Sequence, residues 1–200
     1  MIGAVVQGAP GCYTFNMKLI VGLGNPGKQY ENTRHNAGFL AIDFFLSKRS
    51  AISCQSKFKA LICEFHETKN DSTVEKVFFV KPQSFMNLSG EVVHEIVSFY
   101  KLDPSKDLLV LHDEKDLAFG ILKEAHGSGG AGHNGVQNII DELGTKDFAR
   151  VRIGVETREA DSPIPTDVFV LSPFSEEELE TLNKEVFLKT TELIEKFIQN

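Results

Sequence analysis

His35 is the candidate proton-transfer group of this 200-residue chain. It stands in Arg34-His35-Asn36, ahead of an apolar-periodic segment and after the glycine turn Gly22-Leu23-Gly24-Asn25-Pro26-Gly27. Histidine titrates near neutrality, and a carboxylate accepting from one ring nitrogen fixes the tautomer and raises the basicity of the other. Asp113 is the carboxylate to consider, because the apolar run 108–111 delivers it at a strand end. No G-x-S-x-G elbow is present, Ser128 lies in a glycine-rich loop without support, and Cys63 falls inside a strand as a buried structural thiol. The pair therefore points to a general base acting on water. Asn25, Asn87 and Asn134 stand in three separate loops beside glycines or helix starts. Singly each is a turn residue or N-cap; together they can donate to a carbonyl oxygen or a peptide backbone, as an oxyanion site does. The chemistry these groups would carry is hydrolysis of a polar acyl compound.

Two competing readings fail on mechanics. The glycines spell G-x-G-x-x-G, yet a dinucleotide site needs a helix that begins at once so that its N–H groups meet the pyrophosphate. Here Pro26 removes a donor, and the helix start expected at Arg34-His35 comes seven residues after Gly27. His112, Asp113, Glu114 and Asp116 lack the spacing of a zinc site. His66, His94 and His126 read as surface residues.

The elements that must hold these groups follow from periodicity. Residues 18–23 form an apolar strand, and Ala37, Phe39, Leu40, Phe44 and Leu46 mark a buried helix to about Lys48. Runs at 58–65 and 77–80 predict neighbouring strands around a polar turn at 69–72. Asn87 or Ser89 is the expected N-cap of a helix marked by Val92, Val93, Ile96, Val97 and Tyr100. Residues 108–111 read as a strand buried on both faces, 120–124 as an edge strand, and 150–155 as a half-exposed strand. Val136, Ile139, Ile140 and Leu143 predict a short helix ended by Gly144, and Leu179, Leu182, Val186, Leu193 and Phe197 one final amphipathic helix. The sum is an α/β fold: a single domain with a mixed β-sheet flanked by helices. Ligands collect beyond the carboxyl ends of strands in such sheets, where Asn25, Asn87 and Asp113 fall.

Bulk properties narrow the class. No apolar run approaches the length of a membrane helix, and residues 1–16 carry no charge. They read as a disordered extension or an alternative start ahead of Met17, with the domain spanning 17–200. Three cysteines without a C-x-x-C predict reduced thiols in a cytoplasmic protein rather than a disulfide framework. The net charge of −7 is uneven: seven acids and three lysines put −4 in residues 175–200, leaving −3 for the rest. A local basic face from Lys28, Arg34, Lys57, Lys59, Arg150 and Arg152 is thus open.

GLGNPG, TRHNAG, FMNLSG, HDE and GHNG, in this order, resemble bacterial-type peptidyl-tRNA hydrolase from Met17 essentially to the C-terminus. The resemblance implies cleavage of the ester between a peptide and the terminal ribose of tRNA, recycling peptidyl-tRNA released prematurely. It implies a cytoplasmic monomer with no metal or cofactor. By motif, His35 would activate water, Asp113 would support it, and Asn25 would discriminate N-blocked from free aminoacyl ends. Tyr30, Phe85, Asn87 and Asn134 would contact the tRNA end or the peptide, with Met86 lining the pocket and Arg152 near a tRNA phosphate. Gln137 and Ala125 occupy places where the family commonly carries basic residues, which thins the expected tRNA footprint. The alternative is a tRNA-end-binding protein of the same fold without turnover.

Overall fold

The computed structural model describes residues 16–50, 52–69 and 73–200. The expectation for residues 1–16 lies, Asn16 apart, outside the described residues.

Leu19, Ile20, Val21 and Leu23 are fully buried, so the first strand, β1 (Asn16–Gly22), sits in the middle of the sheet. Among the described residues the sheet has seven strands in the order β2-β3-β4-β1-β5-β7-β6. β4 (Thr73–Pro82), β1, β5 (Leu108–Ala118) and β7 (Ala149–Glu156) run parallel. Antiparallel strands close both sides: β2 (Ser53–Lys57) and β3 (Ala60–Lys69) beside β4, and β6 (Leu122–His126) beside β7. The expected mixed sheet is present.

Side-chain alternation along β1 feeds two cores. Ile20 packs with Ile42 and Phe45 of α1 (Ala37–Ser47) and with Leu182, Phe187 and Ile194 from the C-terminal segment. Leu19 and Val21 pack on the other face with Val93 and Ile96 of α2 (Ser89–Tyr100) and Val136 and Ile139 of α4 (Asn134–Leu143). Each fully buried aliphatic or aromatic side chain contributes about 1.5–3 kcal/mol. The remaining helices are short: α3 (Pro104–Asp107), α5 (Thr166–Val170) and α6 (Glu176–Thr181), before α7 (Phe187–Gln199).

Several local expectations change. Residues 58–59 are a tight turn, with both Phe58 and Lys59 at positive φ, so β3 begins at Ala60 and an additional strand, β2, precedes it. That turn puts Cys54 directly opposite Cys63, with Cα atoms 4.0 Å apart, and the two form a disulfide. This corrects the expectation of free thiols. Neither Asn87 nor Ser89 caps α2; a 3-10 turn, Met86–Leu88, runs straight into it. β7 is largely buried rather than half-exposed, because β5 and β6 flank it. The final helix is interrupted by a π turn, Leu182–Val186, whose extra residue shifts the phase. Ile194 and Ile198 therefore occupy the buried stripe, with Leu193 and Phe197 at its margin.

The close seat of α1 on β1 positions the site. A Cβ on Gly38 would fall 2.3 Å from the Leu111 carbonyl oxygen and 2.5 Å from the Leu23 nitrogen. Only glycine lets the helix backbone come this near the strand ends.

Candidate active site

β1 ends at Gly22, and its pairing with β5 ends at Gly22 and Leu111, two residues before Asp113. Past that point β7 is the one ladder partner of β5 among the described residues, so Asp113 and Glu114 lie where the sheet opens. The turn after β1 needs Gly27 at φ 113°. Two 3-10 turns, Lys28–Tyr30 and Arg34–Asn36, then lead into α1 at Ala37. His35 rides on the second, just before the helix.

His35 Nδ1 lies 2.8 Å from Asp113 Oδ1. A third residue joins them: His133 Nε2 is 2.9 Å from the same Oδ1. The local structure fixes the tautomer of His133. It caps α4, and its Nδ1 accepts from the backbone N–H groups of Gly135 and Val136, so its proton is on Nε2 and is donated to Asp113. The same carboxylate oxygen accepts from His35 Nδ1–H, which leaves His35 Nε2 as the uncommitted ring nitrogen. The His35 and His133 rings lie 4.9 Å apart, and His112 meets His133 edge-on at 4.8 Å.

Electrostatics follow from this geometry. Burial works against a charged His35, but the charge and hydrogen bond of Asp113 outweigh it and raise the His35 pKa above its ordinary 6.5. Burial likewise disfavours the Asp113 carboxylate, and the electrostatic pull and hydrogen bonds of the His133 and His35 N–H groups more than offset this, holding it well below the usual carboxylate range. Asp113 is ionised. Burial, with His133 beside it, pushes His112 well below 6.5, so this third imidazole stays neutral.

Asn25 is tied in place from three directions. Its backbone N–H donates to Asn36 Oδ1 at 2.8 Å, its carbonyl accepts from Asn36 Nδ2 at 3.0 Å, and its own Oδ1 accepts from the Met86 N–H at 2.8 Å. With Oδ1 committed, the Nδ2 amide is the part of Asn25 left to meet a ligand. A cleft of about 760 Å³ is lined by Asn25, His35, Phe85, Met86, Asn87 and Asp113 together with His133, Asn134 and the α5 wall. Phe85 and Asn87 are exposed at its rim, while Met86 is buried.

The fold thus brings together seven of the nine residues singled out from the sequence. Tyr30 and Arg152 stand outside. Tyr30 does not line the cleft. Arg152 pairs with Glu114 at 2.8 Å and lines an adjoining 290 Å³ cavity with Ser128, Gly129 and Arg150, which shares Glu114 and Ala131 with the cleft. The proposed basic face shrinks as well. Arg34 is buried against Glu178, and Arg150 is buried with its guanidinium on Ser128 and Gly129. Lys28, Lys57 and Lys59 remain exposed. Among the described residues, the group able to hold a metal is His35, Asp113 and His133, with ligand atoms within 4.8 Å of one another. An ion there would have to displace both hydrogen bonds to Asp113.

A family model described as peptidyl-tRNA hydrolase matches residues 19–200. The chain belongs to the peptidyl-tRNA hydrolase family. The peptidyl-tRNA hydrolase of Mycoplasma capricolum is 46% identical over 184 residues, covering 92% of this chain and 94% of that protein. That of Fusobacterium nucleatum is 47% identical over 146 residues, 73% of each chain. Among solved structures, peptidyl-tRNA hydrolase from Acinetobacter baumannii superposes with a TM-score of 0.78 at 29% identity, covering 92% of this chain and 89% of that one. This chain is therefore an enzyme, a hydrolase of that family. No helix among the described residues is long and apolar enough to cross a membrane.

His133 is the site residue that sequence reasoning missed in this family member. Its signal lies in GHNG, as a histidine one residue ahead of a helix whose ring nitrogen can cap the first turn.

Proposed function

We propose that the cleft hydrolyses the ester between a peptide and the terminal ribose of tRNA, with His35 as general base. The observation that carries this reading is the 2.8 Å contact of His35 Nδ1 with an ionised Asp113, which leaves Nε2 basic in a residue lining the cleft. His35 Nε2 takes a proton from water as the water oxygen bonds to the ester carbonyl carbon. The resulting imidazolium is stabilised by Asp113. Amide N–H groups of Asn25, Asn87 and Asn134 are the donors available to the carbonyl oxygens. Collapse of the tetrahedral intermediate breaks the bond to the ribose oxygen, which leaves with the proton held by His35. The products are a peptide carboxylate and tRNA with a free hydroxyl.

Asn25 Nδ2 gives the site a way to choose its substrate. A peptidyl or N-acyl ester offers an amide carbonyl acceptor on its α-nitrogen, whereas a free aminoacyl ester offers an ammonium there, which only donates. A site built around a buried donor rejects the partner lacking the acceptor. Phe85 supplies an exposed aromatic face for stacking on a base, and Met86 a polarisable lining. Tyr30 and Arg152 are assigned contacts with tRNA beyond the cleft, Arg152 to a phosphate that competes with Glu114. The protein is proposed to work as a monomer on prematurely released peptidyl-tRNA; a cytoplasmic place rests on that substrate, because the Cys54–Cys63 bridge removes the argument from free thiols.

The test uses labelled N-acetyl-aminoacyl-tRNA and its unblocked counterpart. Release of the acyl group from the blocked substrate alone is expected. Binding of both without release would leave a tRNA-end-binding protein.

A further inference from the structure

Arg34 immediately precedes the proposed base, takes no part in the chemistry above, and is only 6% exposed. Its Nη1 donates to the Pro173 carbonyl at 2.5 Å and to Ser172 Oγ at 3.2 Å. Nη2 donates to Glu178 Oε1 at 2.6 Å and to Thr157 Oγ1 at 3.3 Å. The guanidinium carbon lies 4.8 Å from the Phe169 ring centre and 5.1 Å from that of Phe174. The backbone reinforces the same junction: Arg34 N–H donates to the Ser172 carbonyl, Phe174 N–H to the Asn32 carbonyl, and Thr33 bridges Pro173.

What Arg34 joins is informative. On one side is the single 3-10 turn Arg34–Asn36, which carries His35 and, through Asn36, holds Asn25. On the other is the segment leaving α5; Thr166, Asp167 and Val170 of that helix, with Leu171 at its end, form a wall of the cleft. Phe169, between those wall residues, stacks on Arg34 and also on Arg158. An apolar side chain would fill the space between two phenylalanines without the desolvation penalty of a buried charge. The planar fork instead meets acceptors at positions 157, 172, 173 and 178, a demand for fixed geometry that lysine cannot reproduce.

We infer that Arg34 is a positioning residue of the reaction: it locks the turn bearing His35 to the α5 wall, so that base and substrate-contacting wall hold one relative placement. The inference rests on His35 being the base. Misplacing a catalytic group by about 1 Å costs on the order of 100-fold in rate, so a loosened fork should act on kcat.

The experiment compares Arg34→Lys, Arg34→Met and Glu178→Gln with wild type and with His35→Ala, on N-acetyl-aminoacyl-tRNA, well below each variant's melting temperature. Arg34→Met should lose at least about tenfold in kcat with KM within about threefold, and Arg34→Lys should recover part of the loss. Hydrogen exchange should quicken together at residues 33–36 and 166–172. Glu178→Gln keeps an acceptor oxygen and tests the same link if Arg34→Met fails to fold; it should lower kcat in the same direction. Lowered melting temperatures with kcat unchanged in the folded variants would overturn the inference and leave Arg34 a stability residue. Retained activity in His35→Ala would instead remove the base assignment on which the inference stands, whatever Arg34 does.

Discussion

Replacing Asp113 by asparagine separates charge from geometry at this site. Both histidines donate to Oδ1, and His133 has no freedom to reverse, because its Nδ1 is held by two backbone N–H groups of α4. The His133 Nε2–H therefore demands an oxygen at that position, which forces the asparagine to present its carbonyl there. His35 Nδ1–H meets the same oxygen, so its tautomer is kept while the negative charge is lost. A hydrogen bond to a charged group contributes about 1.5–3 kcal/mol, which converts to a loss of about 10- to 150-fold in kcat. The pH profile gives the second readout. With His35 as the proposed base the neutral ring is the active form, so wild-type kcat/KM should rise with pH through a midpoint above 6.5, the direction in which Asp113 moves the ring. Without that charge, burial remains and favours the neutral ring, and the limb should move to lower pH. The assay is initial-rate hydrolysis of N-acetyl-aminoacyl-tRNA across about pH 5 to 9. A limb that stays put or moves upward would refute the coupling. A loss near 10⁴-fold would show that the asparagine had turned its NH₂ to His35 and spoiled the tautomer, against the constraint argued from His133.

Three further outcomes follow from the structure. Gly38→Ala places a Cβ 2.3 Å from the Leu111 carbonyl oxygen, a backbone atom that cannot swing aside. Denaturant unfolding should show about 1–3 kcal/mol lost and kinetics a lower kcat, since α1 carries the His35 turn; unchanged values would contradict the close seat. Reducing the Cys54–Cys63 bridge, which closes a sequence separation of 9, should lower stability by about 2–3 kcal/mol on the chain-entropy account. Immediate alkylation of both cysteines in the native, unreduced protein would refute the bridge. Arg152→Ala should weaken tRNA binding and reduce the slope of log affinity against log salt by about one, while an unchanged slope would remove Arg152 from the phosphate contacts.

Much of the site was legible because its residues fall at the ends of apolar runs. The run 18–23 aims Asn25, and the run 108–111 aims Asp113, so strand ends converge as the sheet rule requires. What escaped was set by tertiary contact. His133 reaches Asp113 across 20 residues, and its value depends on which nitrogen caps α4. Arg34 and Arg150 count as surface charges in any tally of composition, but one is enclosed by two phenylalanines and a glutamate and the other by a glycine-rich loop. The disulfide has a local signal in the sequence. Positions 54 and 63 are symmetric about a turn at 58–59, so a hairpin there sets them face to face. Reading Phe58 as the start of a strand hid that symmetry. The π turn in the last helix shifts the buried stripe by one residue, which a steady helical period does not anticipate.

In the proposed mechanism His35 takes a proton from the attacking water in a cleft that holds the peptide ester of tRNA. Single-turnover hydrolysis of labelled N-acetyl-aminoacyl-tRNA by His35→Ala, with binding measured on the same sample, tests it most directly. Binding close to wild type with turnover reduced at least about 100-fold is the expected result. Near-normal turnover in a folded His35→Ala protein would contradict it.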